Sequence, residues 1–97
     1  MRKSASFTGT VRSGHKEDAI EVPFSPIDKW SLQPQPIGPR RLGYPVQGTV
    51  EGVAFQSCIV SRSKRFWLLL DPALEEAAGI AVGSMVQVVL REPSNGA

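Results

Sequence analysis

Apolar and polar residues alternate along several stretches of the chain, and this period of two predicts β-strands. In "SFTGTVRSG", Phe7, Gly9 and Val11 share one face, while polar residues occupy the other. "SGHKED" supplies a polar turn, and "AIEVPF" is predicted as the returning strand, which ends at Pro23. The first quarter of the chain therefore predicts a β-hairpin.

The central stretch "YPVQGTVEGVAFQSCIV" predicts a second hairpin, with its turn at Glu51-Gly52 because glycine tolerates positive φ. "RFWLLL" follows as another strand; it is apolar on both faces, and we expect it to be buried on both. The basic loop Ser61–Arg65 is too short for a crossover helix. We expect this loop to join two antiparallel strands and to lie in solvent.

Local signals near the C-terminus predict one short helix followed by a last strand. Asp71 is a helix-capping residue directly before a proline, "PALEEAA" is helical, and Gly79 ends the helix. We expect positive φ at Gly79 and at Gly83, which lies in the turn before "MVQVVLRE". One helical turn is predicted behind Ser25, and the proline-rich segment 33–41 is predicted as an extended connection.

These elements predict a mainly β fold: a small closed β-barrel with one short α-helix near the C-terminus. The apolar side of each alternating strand faces the predicted core. Its expected members are Phe7, Val50, Phe55, Leu68 and Val88.

Length and composition limit the choice of protein class. The 97 residues suit one domain over residues 1–97, with an ordered barrel over about residues 6–91 and flexible termini. Hydrophobic residues make up 41% and charged residues 21%, which is typical of a globular domain. No apolar run is long enough for a signal or a membrane span. Cys58 is the only cysteine, so an intramolecular disulfide is excluded, and we expect a cytoplasmic protein.

Four stretches in this order resemble the domain of unknown function 1905 family. They are "FTGTV", "IEVP", "YPVQGTVEGVAFQSCIV" and "FWLLLDPALEEAAGIAVGSMVQVVL", and together they cover most of residues 6–91. The resemblance implies a double-split β-barrel similar to the swapped-hairpin barrels of the AbrB and MazE type. The resemblance implies the fold rather than an activity, since the family has no established chemistry.

An internal similarity suggests that the barrel consists of two half-barrels. "IEVPFSPIDKW" followed by "RRLGYPVQGTVEG" has the same order as "LLLDPALEEAAGIAVGSMVQVVL": strand, proline, helical turn, small turn and alternating strand. Two such halves in one chain would close a barrel without a second copy.

The residues that could carry catalysis do not form a catalytic pattern. His15 is the single histidine, in a polar turn, and Cys58 lies in a strand with no histidine at a recognisable spacing. Glu75 and Glu76 are adjacent and point about 100° apart on a helix, so we expect a solvated face. We therefore expect no enzyme activity, no cofactor and no metal site.

Two basic clusters are the remaining candidates for binding. They are Arg40 and Arg41, and Arg62, Lys64 and Arg65; Trp30, Tyr44 and Trp67 lie near them in the sequence. Arginine beside aromatic rings can bind phosphates and stack on bases, whereas the alternative is that these charges are solvated and the rings fill the core. The net charge of +2 favours neither strongly. We expect a non-catalytic module that binds a protein or small ligand, with nucleic-acid binding on an AbrB-like scaffold as the alternative.

Overall fold

The computed structural model describes residues 4–14 and 17–91; His15 lies outside the described residues. These ranges contain seven strands and two short helices. Their bounds are β1 (Ser4–Arg12), β2 (Asp18–Val22), α1 (Pro26–Trp30), β3 (Gln35–Gly38), β4 (Arg41–Val50), β5 (Val53–Arg62), β6 (Arg65–Leu70), α2 (Pro72–Ala78) and β7 (Met85–Arg91).

Six of the strands form a closed antiparallel barrel. Their order around the barrel is β4-β5-β6-β2-β1-β7, and a further pairing between β7 and β4 closes the ring. The remaining strand, β3, pairs with the first residues of β4 and extends the sheet outside the ring. This architecture confirms the predicted small closed barrel. It leaves the ring without open outer edges, which protects a β protein from edge-to-edge association.

The barrel interior is filled by the apolar side of the alternating strands. Val50, Leu68 and Val88 are completely buried, as predicted. Phe7 and Phe55 lie on the inward face and pack against this core as predicted, but they are only partly buried. The other completely buried strand residues are Ile20, Ile59 and Leu90. Each such side chain contributes about 1.5–3 kcal/mol to stability by leaving water.

Tight turns join the strands where the sequence predicts them. Glu51 and Gly52 both have positive φ, 49° and 80°, which matches the right-handed twist of a β-hairpin. Ser63 and Lys64 do the same between β5 and β6. The segment Ser61–Arg65 is exposed and joins antiparallel strands, as predicted, but the strands continue to Arg62 and resume at Arg65.

Both helices are defined by their caps. Asp71 accepts a hydrogen bond from the Leu74 backbone N–H at 2.7 Å, and the helix ends at Gly79 with φ 67°. Gly83 has φ 96°, so both predicted positive-φ glycines are confirmed. The helical turn predicted behind Ser25 is α1, which ends at Ser31 in the left-handed conformation. No helix of the described residues is long and apolar enough to cross a membrane.

The proline-rich segment 33–41 differs from its prediction as a plain connection. Gln35–Gly38 forms the short strand β3, which pairs with β4 through Gln35–Gly43 and Pro36–Leu42, with a shift in register before Gly38–Arg41. Proline lacks the N–H that a central strand needs, but it is tolerated on a strand that is paired on one side only. Because β3 lies outside the ring, its prolines do not interrupt the barrel.

The order of elements repeats within the chain. One half of the repeat consists of β1, β2, α1 and β4, and the other consists of β5, β6, α2 and β7. The two halves interlock in the ring, because β4 lies between β5 and β7. The pair Val11–Ile20 in the first hairpin corresponds to Ile59–Leu68 in the second. The two halves pair with each other along four strand contacts: β2–β6, β1–β7, β4–β5 and β4–β7. The connectivity thus has the repeat that the internal similarity suggested.

The contact between β4 and β7 requires a glycine. A Cβ atom added to Gly48 would lie well inside contact distance of the Val89 carbonyl oxygen, and 3.0 Å from the Leu90 Cα. Any side chain here would push the two backbones apart. Gly48 therefore allows the four pairs from Gln47–Arg91 to Val50–Val88 to form and close the barrel.

We expect Leu68→Ala to destabilise the protein by about 2–5 kcal/mol, because it removes a completely buried side chain and leaves a cavity. Urea unfolding followed by circular dichroism measures the loss. Leu42→Ala is the control: Leu42 is 60% exposed, so its free energy of unfolding should change by less than about 0.5 kcal/mol. Equal losses in the two variants would contradict the assigned core.

We expect Gly48→Ala to cost about 3 kcal/mol or more, since the added methyl group meets the backbone of β7 rather than a side chain that can move. Gly38→Ala is the matched control, because a Cβ at Gly38 meets nothing within 4 Å. Thermal unfolding of both variants compares them. A Gly48→Ala protein with the melting temperature of the wild type would show that the β4–β7 contact does not hold the barrel closed.

Candidate functional site

The outer surface of the barrel carries apolar side chains where its two halves meet along β2 and β6. Ile20 and Leu68 point inward, so their neighbours point outward. Ala19 pairs with Leu69 across the two strands, and Trp67 pairs with Val60 of β5. These four outward residues form an apolar floor. The prediction that β6 is buried on both faces is wrong, since Trp67 and Leu69 are only half-buried.

This floor lies at the bottom of a concave site of about 270 Å³, which we call the hairpin pocket. Its sides come from the ends of the β1–β2 and β5–β6 hairpins. The lining residues are Arg12, Ser13, Gly14, Glu17, Ala19, Val60, Arg62, Ser63, Trp67 and Leu69. The volume is near the lower end of the range of about 300–1,000 Å³ that is usual for small-molecule sites. Two other depressions, of about 240 and 460 Å³, are more open and more polar.

The indole of Trp67 is held in place by the backbone of the neighbouring turn. Its Nε1 donates a hydrogen bond to the Arg62 carbonyl oxygen at 3.4 Å. Arg62 and Arg65 are opposite each other at the end of the hairpin, so the tight turn also fixes the position of the Arg62 backbone. The floor of the pocket thus contains an aromatic ring of fixed orientation.

An ion pair joins the end of the β1–β2 connection to the start of β4. Arg41 donates from Nη1 to Glu17 Oε1 at 3.1 Å and from Nη2 to Glu17 Oε2 at 3.4 Å. Both side chains are about 30% exposed, at 31% and 29%. The hydrogen bond to Glu17 raises the pKa of the Arg41 guanidinium above its ordinary value, so this group stays charged. Glu17 lines the pocket, and its negative charge is therefore compensated by Arg41 at the start of β4.

The predicted basic residues do not form one surface. Arg41 pairs with Glu17, and Arg65 pairs with Glu21 at 3.4 Å. Arg40 and Lys64 are exposed turn residues with positive φ. Of the five predicted contacts, only Arg62 lines the hairpin pocket.

Arg12 is a site residue that the sequence reasoning missed. It lies on the outward face of β1, opposite Ala19, and lines the pocket from the side of the first hairpin. Within the part of the chain that the structure describes, neither Arg12 nor Arg62 has a carboxylate partner. The signal that could have pointed to the site is the run "RFWLLL", because apolar residues on both faces of a strand need a cover on both sides.

The three predicted aromatic residues separate into two groups. Trp30 and Tyr44 are 3% and 5% exposed and belong to the core, so they cannot stack on a ligand at the surface. Tyr44 instead packs edge-to-face against Phe66, with ring centroids 6.1 Å apart. Only Trp67 presents part of its ring to the pocket.

Two potentially reactive groups, the Cys58 thiol and the Glu75 carboxyl group, have raised pKa values. Burial raises the pKa of the Cys58 thiol above its ordinary value, despite the opposing effect of Arg41. Glu75 is half-buried rather than fully solvated as predicted, and its pKa is raised by its contact with Asp18. Among the described residues, no group of three or more His, Cys, Asp or Glu side chains could hold a metal ion.

Comparison with known proteins places this architecture in a family. The family model described as "Domain of unknown function (DUF1905)" matches residues 7–90, which include all seven strands and both helices in whole or in large part. No curated protein matches the chain.

We expect the Cys58 thiol to react slowly with a disulfide reagent at neutral pH. Its raised pKa lowers the thiolate fraction, and the thiolate is the reacting form. The rate, followed by absorbance, should keep rising at pH values where an unfolded control in urea has already levelled off. A folded protein that reacts as fast as the unfolded one at pH 7 would contradict this assignment and make Cys58 a candidate nucleophile.

Proposed function

Because the chain belongs to the domain of unknown function 1905 family, whose description assigns no reaction, we propose a function from the hairpin pocket: a non-catalytic barrel module that binds a small ligand there. One observation carries the proposal. Ala19, Val60, Trp67 and Leu69 form an apolar floor on the outside of a barrel whose core is complete without them. Apolar outward side chains in a concave site, with a few polar groups at the rim, are typical of ligand sites.

The shape of the site favours a small ligand over a protein partner. A protein interface needs a broad surface of about 800 Å² on each partner. The most exposed large apolar residues among those described, Ile27, Leu42, Val82 and Met85, are not part of the pocket lining.

The charge distribution argues against the alternative, nucleic-acid binding. Affinity for a phosphate backbone rises with the number of phosphates that free cations can neutralise. Glu17 lies at the pocket beside Arg41, and Glu21 lies beside Arg65, so carboxylates interrupt the cations on this side of the barrel. Two of the three candidate stacking rings, Trp30 and Tyr44, are buried.

The non-catalytic part of the proposal depends on the state of the reactive groups. Glu17 is bound through both oxygens to Arg41, and burial favours the neutral Cys58 thiol. The first is a poor general base and the second a poor nucleophile in this arrangement. The proposal also includes a cytoplasmic location, which a single free cysteine favours, and the double-split description that the family resemblance implies.

We expect the fluorescent probe 1-anilinonaphthalene-8-sulfonate to bind the folded protein at one site and to be displaced when that site is filled. Ala19→Leu adds bulk to the pocket floor and should weaken probe binding about tenfold or more. Ala19→Val should weaken it less, and it serves if the larger variant fails to fold. Leu42→Ala, which changes an exposed apolar residue outside the pocket, is the matched control.

The same protein tests the alternative directly. Fluorescence anisotropy with a mixed-sequence DNA duplex at low salt should show no binding. DNA binding that weakens with salt, and that falls when Arg62, Lys64 and Arg65 are replaced with glutamine, would favour the nucleic-acid function.

In the experiment with the fluorescent probe, unchanged binding to the Ala19→Leu variant would exclude the hairpin pocket as the binding site.

A further inference from the structure

The hairpin pocket has an arginine at each of two opposite corners. Arg12 ends β1 and is paired with Ala19, which is paired with Leu69 of β6. Arg62 ends β5 and is paired with Arg65, four positions before Leu69. The strands β2 and β6 lie between β1 and β5, so the apolar floor separates the two corner arginines. Both nevertheless line the same cavity, which therefore extends from one corner to the other.

Each corner also has a hydroxyl group. Ser13 follows Arg12 in the chain and lines the pocket, and Ser63 follows the other corner arginine in the same way. Guanidinium and hydroxyl groups both donate hydrogen bonds, and a guanidinium carries a permanent positive charge. Each corner therefore has the donors that an anionic group requires.

The carboxylates on this face of the barrel are compensated by other arginines. Glu17 is bound through both oxygens to Arg41, and Glu21 is paired with Arg65. In the part of the chain that the structure describes, the two corner arginines form no ion pair. A ligand with one anionic group would therefore leave one of these two charges without a counter-charge.

The floor between the corners is apolar. Ala19 and Val60 face outward, yet they are only 7% and 6% exposed. The indole N–H of Trp67 is already used in its hydrogen bond to the Arg62 carbonyl oxygen. An anionic group over this floor would lose hydration without gaining a donor. The charges of a ligand are thus confined to its two ends, and a cavity of about 270 Å³ limits its body to a small ring system or a short chain.

From this arrangement we infer that the hairpin pocket binds an elongated dicarboxylate with an apolar body. One carboxylate binds at the corner of Arg12 and Ser13, and the body lies on the floor. The other carboxylate binds at the corner of Arg62 and Ser63. This inference rests on the proposed ligand-binding function and adds the chemical class of the ligand. Each arginine binds its own carboxylate, and the two anions repel each other little because they are far apart.

Three naphthalene probes test the inference by two-dimensional NMR on ¹⁵N-labelled protein. Naphthalene-2,6-dicarboxylate has its anionic groups at opposite ends, naphthalene-2,3-dicarboxylate has the same charge at one end, and 2-naphthoate has a single charge. The indole N–H signal of Trp67 reports on the pocket, and that of Trp30, which is buried and outside the pocket lining, is an internal reference. We expect the 2,6-isomer to shift the Trp67 signal and to bind about tenfold or more tighter than either other probe, because only it can reach the donors at both corners.

Each other outcome has a definite meaning. Equal affinity for the two isomers would overturn the inference, because the pocket would then respond to charge without regard to its position. Binding of 2-naphthoate as tight as that of the 2,6-isomer, or shifts confined to other parts of the protein, would overturn it as well. The proposed function survives these outcomes if the fluorescent probe still binds and Ala19→Leu still weakens its binding. No binding of any naphthalene probe or of the fluorescent probe would overturn both.

Substitutions test the two corners separately. Arg12→Gln and Arg62→Gln should each weaken binding of the 2,6-isomer about tenfold, to the level of 2-naphthoate. Each should weaken binding of 2-naphthoate only about twofold, because its one carboxylate can still bind at the remaining corner. Arg40→Gln, which removes the same charge from an exposed turn outside the pocket lining, is the control. Unchanged binding of the 2,6-isomer in either corner variant, or a loss as large in Arg40→Gln, would overturn the two-ended recognition.

Discussion

Closure of the barrel depends on the close approach of β4 and β7, where Gly48 lies against the backbone of Val89 and Leu90. Without this contact the six strands would form an open sheet with two free edges, and the residues that face the interior would lose cover on one side. Val50, Val88 and Leu90 lie in or directly beside the contact and are completely buried. The absence of a side chain at Gly48 therefore allows β4 and β7 to pair and to enclose the core.

The contact between the halves along β2 and β6 has a different consequence. The two strands are antiparallel, so the tips of the two hairpins lie at opposite ends of this strand pair, and the hairpin pocket extends along its outer face between them. A perfectly repeated structure would have equivalent residues on both sides of this line. Here Ala19 and Trp67 occupy equivalent positions in the two hairpins, one small and one large. Because of this difference, the floor of the pocket is indented at Ala19 and aromatic at Trp67.

Much of the fold could be predicted because its signals are local. The caps at Asp71 and Gly79 and the turn at Glu51-Gly52 depend on residues within a few positions of one another. The strand β3 was missed because proline argues against strands in general, and only the tertiary structure reveals that β3 lies outside the ring. The pocket could not be derived from the sequence, since it depends on which strand lies next to β2. "RFWLLL" gave only the indication that both faces of a strand are covered.

The same limit applies to the two basic clusters, because the sequence does not show which of their charges have a carboxylate partner. Sequence clustering brings Arg62, Lys64 and Arg65 together, but the carboxylates that neutralise such charges come from distant segments. Arg65 meets Glu21 and Arg41 meets Glu17, each across more than twenty residues. These pairs leave Arg12 and Arg62, which are fifty positions apart in the sequence, as the cations beside the apolar floor. The charge available to a ligand is therefore a property of the pairing of the two hairpins, and neither hairpin alone would provide it.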